Sequence, residues 1–236
     1  MGFNSLTLLS LPFGLILPVA IIIFFCFSKK KNHIAYDSVA YGFGGFLASV
    51  VAVFVVFIAM NTLLLSSVKF VDDSSGMQAA GAVIIALIVI LFIVCESFKM
   101  MTVNKFIKSE GERTLFSSIG YSAGVVIAQN ALVFVALNIF NNYEMEATYA
   151  IFSGLILFVS SIMYVAVSAA TEIMLRDGYK YPAYGVSFVY YLFWIAIILA
   201  VRSTILMYII TAFFFVVTLV LSGVFFFRSK IKTEGK

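Results

Sequence analysis

Two ionisable residues, Glu96 and Lys99, lie three positions apart in an otherwise apolar stretch, VIIALIVILFIVCESFKMM. On a helix, residues at this spacing share a face, so the carboxylate and the ammonium group can pair. A charge at membrane depth is costly, and such residues are usually paired, extend to the interface or belong to a functional site. The pair therefore indicates either a site, with Glu96 as its general base, or a stabilised helix end.

A second set of polar residues follows in SSIGYSAGVVIAQNALVFVALNIF. Ser122 and Gln129 are seven residues apart and share a helical face, while Asn130 comes near mid-membrane. Amides and small residues commonly pack membrane helices together, at about 0.6–2 kcal/mol for each interhelical hydrogen bond. The alternative is that this face lines a polar cavity together with Glu96.

These residues need membrane-spanning helices to position them. The chain has 236 residues, of which 63% are hydrophobic and only 11% charged, and its mean hydropathy is +1.12. Since a soluble domain carries about 25% charged residues, the composition predicts an all-α, polytopic membrane protein with one integral domain, 1–236. Seven segments are long enough to span a bilayer: about 6–28, 39–65, 78–101, 115–140, 147–170, 183–201 and 204–227.

The distribution of Lys and Arg predicts the orientation of this seven-helix bundle. Thirteen of these residues follow the first, third, fifth and seventh segments, whereas the opposite side holds only Lys69 and Arg202. The N-terminus is therefore expected outside and the C-terminus in the cytoplasm. Glu172, Arg176 and Asp177 are placed in a short cytoplasmic loop, where Glu172 and Arg176 form a surface pair.

Several functional classes are excluded by what the sequence lacks. It has one histidine and none of the motifs HExxH, GxSxG, CxxC or a Walker-type glycine loop, so we expect no metal site and no cofactor. The expected partners are the lipid bilayer and another membrane protein or a peptide, with no nucleic acid. Low Pro with abundant Lys, Phe and Ile suggests the plasma membrane of a Gram-positive bacterium.

Three stretches carry a resemblance to a known family: LPFGLILPVAIIIFFCFSKKKN, CESFKMM and IGYSAGVVIAQN. Over roughly residues 6–200 the layout resembles the YhfC-type family of glutamic intramembrane proteases, relatives of the CAAX-protease and bacteriocin-processing superfamily. In that family, glutamates and histidines are thought to activate a water for peptide cleavage. The resemblance implies a seven-helix bundle with a site built on the third, fourth and sixth spans.

Most of the family's site residues are replaced in this chain. The two glutamates of the Glu-Glu-x-x-Arg motif fall at Cys95 and Glu96, and its arginine falls at Lys99. The resemblance places the remaining family positions, two histidines and a further glutamate, at these residues: Ala123, Ile127 or Gln129, and Tyr190 or Tyr191. One carboxylate remains and neither histidine does, which indicates a degenerate, non-catalytic relative.

Three hypotheses follow. The first is a pseudoenzyme that acts as a scaffold or partner-binding subunit, through small residues at Gly42, Gly45, Ala123 and Gly124. The second is a divergent active protease that uses Glu96 as its base. The third is a small transporter, sensor or immunity protein for a peptide or lipid. The candidate ligand- or partner-binding residues are Lys99, Ser122, Gln129, Asn130, Tyr190 and Tyr191.

Overall fold

The computed structural model describes residues 12–20, 32–64, 75–110, 115–140, 147–200 and 203–234, and the regular elements among them are all helical. A π-helix, Pro12–Ile16, comes first. Six α-helices follow: α1 Asn32–Leu64, α2 Ser75–Glu110, α3 Leu115–Phe140, α4 Ala147–Arg176, α5 Lys180–Leu199 and α6 Thr204–Glu234. The predicted all-α class is confirmed.

All six α-helices contain a stretch long and apolar enough to cross a membrane, which makes this a multi-pass membrane protein. The stretches are Asp37–Ala59, Ile85–Lys105, Ser117–Val135, Ile151–Arg176, Lys180–Leu199 and Thr204–Gly223. They correspond to six of the seven predicted segments. The remaining segment, 6–28, lies mostly outside the described residues, which cover it only from 12 to 20.

The predicted segment 115–140 matches α3 at both ends, but α1 begins seven residues earlier than predicted and α6 ends seven residues later. Two further helices are extended at their C-terminal ends. Helix α2 continues to Glu110 and α4 to Arg176, because polar residues with good helix propensity prolong a helix beyond its apolar part. Helix α4 ends at Arg176, and Gly178, two residues later, has a φ of 87° that suits glycine. The N–H groups of Tyr179 and Gly178 donate to the carbonyls of Met174 and Leu175, at 2.9 and 3.2 Å.

Glycines bring the backbones of α1 and α3 into direct contact. A Cβ atom added at Gly42 would lie 1.9 Å from the carbonyl oxygen of Tyr121, and one added at Gly124 would lie 2.0 Å from that of Val39. No larger residue fits at either position. Small residues allow such close approach between membrane helices, so these two glycines set the distance between α1 and α3.

This contact corrects the prediction that Gly42, Gly45, Ala123 and Gly124 form a surface for another membrane protein. Ala123 is fully buried, and a Cβ atom at Gly45 would lie 2.7 Å from the hydroxyl of Tyr121. All four residues are used inside the chain. The sequence pattern for close helix approach was real, but the partner helix belongs to the same molecule.

Candidate functional site

Glu96 and Lys99 on α2 both point into the bundle. The side chain of Lys99 is 1% exposed and that of Glu96 is 5% exposed. The ammonium nitrogen Nζ of Lys99 lies 3.3 Å from Oε2 of Glu96 and donates a second hydrogen bond, of 3.1 Å, to Oγ of Ser168 on α4. The pair predicted from the spacing is formed, and it lies in the interior of the protein.

The pair belongs to a layer of polar contacts that joins three helices. Ser118 on α3 donates to the backbone carbonyl of Ser168 on α4 at 3.2 Å, and Tyr121 on α3 donates to the carbonyl of Cys95 on α2 at 3.3 Å. We call the set Glu96, Lys99, Ser118, Tyr121 and Ser168 the ionic layer. It ties α2, α3 and α4 together at the depth of the charge pair.

Two buried polar atoms beside this layer lack a hydrogen-bond partner within the described part of the chain. They are Oε1 of Glu96 and the hydroxyl of Tyr164, a fully buried residue on α4. Tyr164 comes four residues before Ser168 on α4, which is about one helical turn. Buried polar groups are nearly always hydrogen-bonded, so two such atoms at one place call for an explanation.

Asn130 lies in a second, neutral layer and has a structural task there. Its Nδ2 donates to the backbone carbonyl of Gly14 in the π-helix and to Oγ of Ser161 on α4, the latter at 2.8 Å. In an α-helix the carbonyl of Gly14 would accept from residue 18, but Pro18 has no N–H. The side chain of Asn130 supplies the missing donor. We call Asn130, Gly14 and Ser161 the amide layer.

Of the two interpretations of Ser122 and Gln129, the bonds formed by these residues fit helix packing and not a cavity shared with Glu96. Ser122 donates to the carbonyl of Ser118 in its own helix at 2.8 Å, and Gln129 accepts a hydrogen bond from the hydroxyl of Tyr190 on α5. Seven residues span about 10 Å of helix, so the hydroxyl and the amide lie at different depths. Ser122 therefore bonds within α3 and Gln129 bonds α5.

Tyr190 and Tyr191 lie in the interior, 2% and 3% exposed, close to the ionic layer. The ring centroid of Tyr190 is 4.5 Å from that of Tyr164, and the ring of Tyr191 contacts Phe92 on α2 at 5.0 Å. Phe92 comes four residues before Glu96 on α2, which is about one helical turn. The structure thus brings the predicted α5 tyrosines and the charge pair of α2 into one region.

Sequence reasoning missed two residues of this region, Tyr164 and Glu172. Glu172 is only 1% exposed, so its placement in a surface loop is wrong: α4 continues past it and buries it one turn beyond Ser168. A signal was present in the sequence. Ser161, Tyr164, Ser168 and Glu172 follow one another at spacings of three and four, which places them on one face of a helix.

Among the described residues, no group of three or more His, Cys, Asp or Glu side chains is arranged to hold a metal ion. Cys95 is a free, buried thiol. No protein-family model, no curated protein and no solved structure matches this chain.

Proposed function

We propose that this protein is a non-catalytic, intramembrane-protease-like subunit of a bacterial plasma membrane that acts as a scaffold for another membrane protein. The observation that carries the proposal is that predicted site residues form hydrogen bonds between helices. Lys99 bonds Ser168, Asn130 bonds Gly14, and Gln129 bonds Tyr190. These side chains hold helices to one another, as expected of a bundle that works by its shape.

The surroundings of Glu96 also favour binding over peptide cleavage. Hydrolysis by a carboxylate requires a positioned water and a further group that stabilises the oxyanion or protonates the leaving group. In the part of the chain that the structure describes, the one hydrogen-bond partner of the Glu96 side chain is Lys99.

The proposed topology has seven spans, with the N-terminus outside and the C-terminus in the cytoplasm. It is supported by the distribution of Lys and Arg: apart from Lys99, which is buried in the bundle, twelve lie on the proposed cytoplasmic side and two on the other. At the proposed cytoplasmic end, Nζ of Lys105 lies 4.3 Å from the ring centroid of Tyr41, and the connection from α4 to α5 exposes Tyr179 and Tyr181. Basic and tyrosine side chains together are typical of a membrane interface.

A genetic test separates scaffolding from catalysis. A strain that lacks the gene is complemented with the wild type, with the double variant Glu96→Leu/Lys99→Leu, and with Gly124→Ala as a control that disturbs the fold. The double variant removes the candidate base but keeps apolar packing, so a scaffold should retain full complementation, whereas Gly124→Ala should lose it. Loss of complementation by a double variant that still accumulates in the membrane would overturn the proposal.

A physical test addresses the partner. After extraction from its native membrane in a mild detergent, the protein should migrate as a complex heavier than its own 26.0 kDa chain. A monomer that cleaves a peptide, and that loses the cleavage in Glu96→Gln, would establish the divergent protease instead.

A further inference from the structure

The two unpartnered atoms beside the ionic layer lie on helices that run in the same direction. Helix α2 ends at Glu110 and α3 begins at Leu115, and α3 ends at Phe140 before α4 begins at Ala147. Such short connections between long helices reverse the chain twice. Helices α2 and α4 are therefore parallel, and residues one turn earlier on each lie at the same depth.

This geometry places Glu96 opposite Tyr164. Lys99 on α2 is level with Ser168 on α4, because the two side chains are hydrogen-bonded at 3.1 Å. Glu96 comes three residues before Lys99, and Tyr164 comes four residues before Ser168. On parallel helices both steps are about one turn in the same direction. This register places Glu96 and Tyr164 at corresponding positions on the two helices, and neither Oε1 of Glu96 nor the hydroxyl of Tyr164 has a hydrogen-bond partner among the described residues.

The chemistry of the two groups is complementary. Oε1 of Glu96 accepts hydrogen bonds, and the hydroxyl of Tyr164 donates one and accepts others. Both side chains are at least nine-tenths buried, and neither atom has a partner among the described residues. An ammonium group has three N–H bonds, and Lys99 donates two of them in hydrogen bonds to Glu96 and Ser168. One donor of the pair is therefore left over as well.

We propose that Glu96, Tyr164 and Lys99 bind a small, neutral hydroxyl-bearing ligand between α2 and α4. Its O–H donates to Oε1 of Glu96, and its oxygen accepts from the hydroxyl of Tyr164 and from the remaining N–H of Lys99. The ligand is neutral because the carboxylate and the ammonium group already balance each other. A water molecule and the hydroxyl of a bound organic compound both have this chemistry. The site stands independently of the scaffold function.

The test is a set of thermal unfolding measurements on the full chain in detergent micelles. Tyr164→Phe keeps the ring contact with Tyr190 and removes only the hydroxyl. In the wild-type background it should lower Tm by about 3 °C, the size expected when a buried group loses a hydrogen-bond partner. In the Glu96→Leu/Lys99→Leu background, where the proposed site is gone, it should change Tm by less than about 1 °C.

Tyr121→Phe is the matched control, because the hydroxyl of Tyr121 bonds the backbone carbonyl of Cys95 and not the charge pair. Its effect on Tm should be the same in both backgrounds. If Tyr164→Phe also behaves identically in both backgrounds, the proposed site is wrong.

Two further measurements identify what is bound. A crystal structure that resolves ordered water should contain density within hydrogen-bond distance of both Oε1 of Glu96 and the hydroxyl of Tyr164. Direct contact between these two atoms, with nothing between them, would overturn the proposal. Native mass spectrometry then distinguishes the sources: a constant organic adduct that the Leu/Leu variant loses identifies an organic hydroxyl, and the mass of the bare chain identifies water.

Discussion

The amide layer and the ionic layer both include α3 and α4, yet they use polar groups differently. Along α4 the two layers are seven residues apart, from Ser161 to Ser168, or about 10 Å. The amide layer is neutral, and Asn130 donates to a backbone carbonyl that Pro18 leaves without its usual donor. The ionic layer has a charge pair with unfilled hydrogen-bonding capacity on both partners.

This difference helps to distinguish buried polar residues that connect helices from those that could bind a ligand. Asn130 also has one unpartnered atom, Oδ1, but it is uncharged and its amide nitrogen is fully used. A hydrogen-bonding position without a partner costs more free energy on a buried ion than on a neutral amide. We therefore interpret the amide layer as a structural connection between helices and the ionic layer as the place where a ligand would bind.

The largest effect on the free energy of unfolding is expected from mutations that disrupt the ionic layer. Glu96→Ala strands the buried ammonium of Lys99 and should lower the free energy of unfolding by about 3–5 kcal/mol. Glu96→Leu should be milder, and Glu96→Leu/Lys99→Leu should be better tolerated than either single change, because it leaves no unpaired charge. Denaturation with SDS measures the unfolding free energies of Glu96→Ala, Glu96→Leu, Lys99→Leu and the double variant. A double variant less stable than both Glu96→Leu and Lys99→Leu would contradict the pairing.

The next effect comes from the glycine that makes room for the ionic layer. A Cβ atom in Gly45→Ala would lie 2.7 Å from the hydroxyl of Tyr121, which holds α3 to α2 at Cys95. We expect a loss of about 1–3 kcal/mol from overpacking. At Gly44 a Cβ atom meets nothing within 4 Å, so Gly44→Ala should gain up to about 1 kcal/mol from helix propensity. Equal effects at the two glycines would argue against this contact.

A smaller effect sharpens the role of the amide layer. Asn130→Leu should cost about 1–2 kcal/mol, because the carbonyl of Gly14 and the hydroxyl of Ser161 lose their interhelical donor. Pro18→Ala restores an N–H that can reach the carbonyl of Gly14, so Asn130→Leu should cost less in that background. The coupling between the two changes, measured by SDS denaturation, would vanish if Asn130 did not compensate for the proline.

The smallest effect is expected on α6, at the edge of the bundle. The share of buried residues in the most apolar part of each helix is 61% for α3 and α4 but 11% for α6. Thr218 donates its hydroxyl to the carbonyl of Phe214 in its own helix at 2.8 Å. Thr218→Val keeps the shape and removes no interhelical bond, so unfolding free energy should change by less than about 0.5 kcal/mol. A loss comparable to that of Asn130→Leu would show that α6 has a polar partner.

The sequence by itself determined the class of this protein and its most conspicuous charge pair. Long apolar runs predict membrane-spanning helices because a helix satisfies its own backbone hydrogen bonds and its apolar side chains tolerate lipid. Both conditions depend only on residues that are close together along the chain. The contact between Glu96 and Lys99 is equally local, because residues three positions apart on a helix share a face. Segment 115–140 was predictable to the residue for the same reason.

Only the tertiary structure decided which polar group meets which across helices. The donor that serves Gly14 is Asn130, 116 residues away, and the glycines of α1 meet the backbone of α3 rather than a second protein. Periodicity places a residue on a helical face but does not say which helix covers that face. Glu172 was misplaced for this reason, because an acidic residue at the end of an apolar run is buried or solvated according to what packs over it.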